Sequence, residues 1–137
     1  FEGDGGFIQH LQEIGTLSQN NLNIKIFIFY DEGYASIRMT QKNYFNGNYI
    51  GCDLKTGLGL PNWKYLARTY NLNFNELKRN NYLKKLKKIL DEDFPSLNLI
   101  HINPEQTYFP KIQSSISESG KMESNPLDKM FPEVDDL

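Results

Sequence analysis

The sequence predicts an α/β domain with a mainly parallel sheet and helices on both faces. Three observations carry that expectation. Residues 24–30 and 97–102 are short, largely apolar runs, the pattern of strands covered on both faces. Amphipathic helical patterns stand between them, as a parallel crossover requires. The chain has 137 residues, 39% of them hydrophobic and 23% charged. That is enough for one folded domain, and too apolar for a disordered chain.

In chain order, Phe1 and Glu2 read as the tail of a strand that runs into a glycine-rich turn at residues 3–6. Ile8, Leu11, Ile14 and Gly15 then share one helical face, and Asn20, Asn21 and Asn23 stop that helix. The strand at 24–30 follows, and Asp31, Glu32, Gly33 and Tyr34 form an acidic turn at its end. A short helix is expected over 36–41. Residues 43–60 contain glycines and little periodicity, so they read as a long loop, a length that suits a mobile lid.

Pro61 is placed in the first turn of a helix whose inner face is Trp63, Leu66, Ala67 and Tyr70. A second amphipathic helix over 81–91 turns Leu83, Leu86, Ile89 and Leu90 inward and solvates Lys84, Lys85, Lys87 and Lys88. After the strand at 97–102 the chain becomes irregular, with Pro104, Pro110, Pro126 and Pro132 around a serine-rich stretch. The expected organisation is an α/β domain over residues 1–103 and an extension over 104–137 packing on it.

Composition narrows the function. Fifteen Lys and Arg stand against seventeen Asp and Glu, a net charge of -2, which argues against a nucleic-acid partner. No apolar run approaches the roughly 20 residues that span a bilayer. A single cysteine, Cys52, leaves no internal disulfide and fits a reducing, cytoplasmic setting. The opening residues have neither a Met start nor a leader pattern, and suggest an N-terminally truncated domain.

The candidate chemistry lies in the two acidic turns. Asp4 sits between glycines immediately before a helix, where Gly5 and Gly6 let main-chain N–H groups approach an anion. A carboxylate there would repel a bare phosphate; a divalent cation held between them resolves the conflict. Asp31 ends the neighbouring strand, and the Gly33 carbonyl can add a third oxygen. Magnesium suits this set, since it takes few protein carboxylates and completes its octahedron with phosphate and water. Asp4 and Asp31 are 27 positions apart, one helix and one strand, so a single crossover brings both to one sheet edge.

Gly3-Asp4-Gly5, followed 25 residues later by Tyr30-Asp31, resembles the fingerprint of thiamine-diphosphate-dependent enzymes. Residues 3–14, 24–29 and 33–38, then Thr40 to Phe45 with Gly47, the 61–70 helix, and the tail from Phe109 to Met130 resemble the acetolactate-synthase-like branch. The resemblance implies that the fold is the thiamine-diphosphate-binding fold and that the cofactors are thiamine diphosphate and Mg2+. It implies Asp4, Asp31 and the Gly33 carbonyl as metal ligands. It implies contacts to the cofactor from Gly3, Gly5, Gly6 and Tyr34.

The implied activity is transferase/lyase chemistry: decarboxylation of a 2-keto acid and transfer of the resulting carbanion equivalent. No catalytic residue is assigned, because the family's activating glutamate belongs to a different domain. The implied partners are the keto acid, the missing domains of the same protein, and further copies in a dimer or tetramer; the fragment alone would be inactive. One departure stands out: the family's Asn pair is Tyr30-Asp31 here. The added charge beside a diphosphate costs on the order of 1–4 kcal/mol unless offset.

Two other readings stay open. One is a non-catalytic interaction module that keeps the fold without turnover. The other is a Mg2+-phosphate hydrolase, for which His10 would be the only local base.

Overall fold

The structure, a computed structural model, describes residues 1–106 and 109–132. It divides into two compact units, Phe1–Glu105 and Gln106–Leu137. The last five residues of the expected 104–137 extension, and residues 107–108, lie outside the described residues.

The first unit runs β1 (Glu2–Gly3), α1 (Asp4–Phe7), a 3-10 turn (Ile8–His10), α2 (Glu13–Gln19), β2 (Lys25–Tyr30) and α3 (Ala35–Tyr44). A second 3-10 turn (Leu54–Thr56), α4 (Trp63–Thr69), β3 (Asn73–Leu77), α5 (Tyr82–Asp91) and β4 (Ser96–His101) complete it. The strands form one sheet in the order β1-β2-β4-β3, every pair parallel. Helices cover both faces, as the sequence predicts. Ile28, Leu97 and Leu99 pack on Ile14 and Leu17 of α2 and on Trp63 and Ala67 of α4. On the other face Phe27 and Leu77 pack on Ile89 of α5, with Leu86 and Ile100 beside them.

The register explains why the two acidic turns meet. Gly3 pairs with Phe29, so Asp4 leaves the sheet beside Tyr30, one residue before Asp31. Asn98, fully buried at the centre of the sheet, accepts from Asn75 Nδ2 at 2.9 Å and donates to the Ile26 carbonyl at 3.0 Å. Those bonds tie β3, β4 and β2 together and satisfy a polar group that would otherwise be costly to bury.

Several elements differ from expectation. The helix after the glycine turn is broken: α1 has four residues and α2 begins only at Glu13. Two glycines and no side-chain cap leave that first turn weak. Pro61 precedes the helix, because Asn62 is the cap, accepting from Tyr65 N at 3.1 Å. The helix expected over 36–41 extends to Ala35–Tyr44. In α5, Leu83 and Leu90 are 68% and 59% exposed, since the helix turns its Leu86–Ile89 side to the sheet. Lys85, expected in solvent, is half-buried, and its Nζ donates to the Glu76 carbonyl at 2.7 Å.

The second unit is more regular than its proline content suggests. β5 (Lys111–Ile112) pairs antiparallel with β8 (Met130–Phe131), and β6 (Ser114–Ile116) with β7 (Met122–Ser124). Among the described residues no helix is long and apolar enough to cross a membrane.

Candidate cofactor and metal site

Two turns at the carboxyl edge of β1 and β2 build the site, where open parallel sheets bind ligands. Asp4 is fully buried. Its Oδ1 accepts from Gly5 N at 2.8 Å and its Oδ2 from Gly33 N at 3.1 Å. One carboxylate therefore clasps both turns. Burial raises its pKa from the ordinary 3.8 to about 6. The charge of Asp31 adds to that rise, against the lowering effect of the main-chain donors. Asp4 thus feels the charge of Asp31, an arrangement that a nearby positive charge would relieve.

Asp31 keeps one buried oxygen, Oδ1, without a hydrogen-bond partner. That oxygen lies 3.9 Å from the Arg38 guanidinium, and carboxylate oxygens are ligands that a hard divalent cation accepts. Beyond it the chain turns sharply: Glu32 has φ +67° and Gly33 φ +147°. A side chain at Gly33 would strike the Cys52 carbonyl. That carbonyl accepts from Tyr34 N at 2.8 Å. The close approach extends to the first turn. A Cβ on Gly5 would come 2.8 Å from the Gly33 carbonyl oxygen and 2.6 Å from the Tyr34 ring. Asp4, Gly5, Asp31, Gly33 and Tyr34 are therefore one cluster.

Gly3 and Gly6 stand at its margin. Gly3 ends β1 with open space where a side chain would be, and Gly6 lies under the Glu2 carboxylate. His10 is exposed, as are Glu32 and His101, whose imidazole reaches Glu76 at 3.7 Å.

Two residues of the neighbourhood escaped the sequence reading. Arg38, 8% exposed, projects from α3 toward Asp31 and Asp53. Asp53 caps the 3-10 turn in a reciprocal capping box with Thr56. Burial pushes the Asp53 carboxyl up, but the bonds from Thr56 and Lys55 and the charge of Arg38 outweigh it and hold the pKa below its ordinary value. The Asp53-x-x-Thr56 spacing was the available signal, a cap pattern inside a stretch read as loop.

The chain is similar to known proteins over most of its length. Residues 1–102 match the family model "Thiamine pyrophosphate enzyme, C-terminal TPP binding domain". The chain belongs to that family. Its relatives are of the acetolactate synthase kind. The chain is 26% identical over 121 residues to an acetolactate synthase of Arthrospira platensis, covering 88% of this chain and 21% of that protein. It is 31% identical over 103 residues to a probable acetolactate synthase large subunit of Methanococcus aeolicus, covering 74% and 17%. The fold is also that of benzoylformate decarboxylase from Polynucleobacter necessarius: TM-score 0.63, 23% identity, 77% of this chain and 19% of that one. The chain spans about a fifth of the length of the acetolactate synthases it matches.

Proposed function

We propose that the Asp4–Gly33 cluster binds the diphosphate of thiamine diphosphate through Mg2+, as part of an acetolactate-synthase-like enzyme acting on a 2-keto acid. The observation that carries this is the convergence of two interacting carboxylates, one with an orphaned buried oxygen, at a glycine-lined sheet edge. Asp4 and Asp31 would hold the cation with the Gly33 carbonyl. Gly5 lets the Tyr34 ring and the Gly33 carbonyl close on the first turn, and the main chain of Gly5 and Gly6 would meet the phosphate oxygens, with Gly3 leading into the turn. Tyr34, packed on Gly5, would flank the cofactor.

The cofactor, when bound, supplies the electron sink for decarboxylation and for transfer of the remaining carbanion equivalent. This chain's residues anchor and orient it. Assembly as a dimer or tetramer, and a cytoplasmic setting, belong to the same reading.

Calorimetric titration of the full-length protein with thiamine diphosphate, with and without Mg2+, tests it. Binding should require Mg2+ and should vanish in Asp4→Ala. Undiminished Mg2+-dependent binding by Asp4→Ala would overturn the assignment. Tight binding without turnover of any 2-keto acid would favour the non-catalytic module.

A further inference from the structure

An acid at position 31 puts an extra negative charge where a diphosphate would bind, and something must offset it. The only buried cation among the described residues stands beside it. Arg38 Nη2 donates to the Asp31 and Pro104 carbonyls, both at 3.0 Å. The same guanidinium lies 3.9 Å from Asp31 Oδ1 and 3.8 Å from Asp53 Oδ2. Its own main-chain N–H donates to the Tyr34 carbonyl at 2.9 Å.

The distances matter. At 3.0 Å the main chain of the turn is hydrogen-bonded; at 3.9 Å the carboxylate is not. Arg38 thus grips the backbone of residue 31 and faces its Oδ1 as an ion pair without hydrogen-bonding it. The capping bonds of Asp53 all fall on its Oδ1, so its Oδ2 faces the guanidinium and shares its field with Asp31. Lysine keeps the charge but lacks the planar fork that spans these four oxygens from one side.

We propose that Arg38 is a positioning residue that lets a carboxylate serve at position 31, by fixing the Asp31–Gly33 turn through its main chain and offsetting the side-chain charge. The proposal rests on the cofactor reading above. Arg38→Met, Arg38→Lys, Asp31→Asn and the Asp31→Asn/Arg38→Met double variant of the full-length protein are titrated with thiamine diphosphate in excess Mg2+. Folding is checked by circular dichroism and thermal melting.

Arg38→Met should weaken binding tenfold or more in the wild-type background and no more than threefold with Asp31→Asn. Arg38→Lys should recover part of the loss, because it keeps the charge. Equal losses in both backgrounds, or none in either, would overturn the proposal, since a purely structural role is blind to the charge at position 31.

If Arg38→Met folds only together with Asp31→Asn, the same coupling appears in stability and supports the proposal. Failure to fold in both backgrounds overturns it. If the wild type binds no thiamine diphosphate with Mg2+, the cofactor reading fails instead. The coupling is then read in melting temperature: a larger drop with Asp31 intact supports the charge-offset role, and equal drops overturn it.

Discussion

Asp4 concentrates the chemistry of this chain in one side chain. It is buried, bound by two main-chain N–H groups, and faced by a second acid. Because its pKa rises from 3.8 to about 6 on folding, the folded state holds a proton that the unfolded state has released. Stability from this group is therefore full below about pH 3.8 and is lost as pH climbs through 6. In the proposed site cation binding would reverse this, since a metal needs the ionised form. The rise in melting temperature on adding Mg2+ should be larger at pH 7 than at pH 5, and Asp4→Asn should abolish the difference; a Mg2+ effect independent of pH would contradict it. Asp31→Asn should bind Mg2+ and thiamine diphosphate at least as tightly as wild type, because an amide keeps the oxygen and removes the charge. A tenfold loss would show that the second carboxylate is required.

The turns hold these side chains, and they are the elements most sensitive to change. Gly33 combines φ +147° with backbone contact to Cys52, so Gly33→Ala should lose cofactor binding even if the sheet survives. Retained binding would show that the turn is not the anchor. Asp53→Ala removes the capping box and should cost about 1 kcal/mol in chemical denaturation. In the core, Ile89→Ala should cost roughly 2–5 kcal/mol, since Ile89 fills the face between α5 and the sheet.

Elements with strong periodicity were legible: β2 and β4 fall within a residue or so of the apolar runs that predict them. β3 was not, because its sequence, Asn-Phe-Asn-Glu-Leu, has a weak apolar pattern and it lies at the edge of the sheet, with only one strand beside it. The burial of Leu83 and Leu90 was misjudged because periodicity gives a helix's apolar stripe, while its rotation on the sheet depends on tertiary packing.

At the scale of the whole molecule, the sheet order gives the site its place. A single crossover from β1 to β2 brings residues 27 positions apart to one edge, which sequence spacing alone could suggest. Arg38 could not be read in the same way. Its role depends on Pro104, 66 positions away, and on a rotamer that no local pattern encodes. Since the acetolactate synthases it matches are about five times as long, residues 1–137 alone are not expected to turn over a keto acid. Activity of the isolated chain would contradict that.

In the proposed site one divalent ion would join both turns to a diphosphate. Anomalous diffraction from crystals of the full-length protein with Mn2+ and thiamine diphosphate tests it most directly. A manganese peak is expected within about 2.5 Å of oxygens from Asp4, Asp31 and the Gly33 carbonyl, with diphosphate oxygens completing the shell. A peak remote from either carboxylate, or a bound cofactor with no metal between it and Asp4, would contradict it.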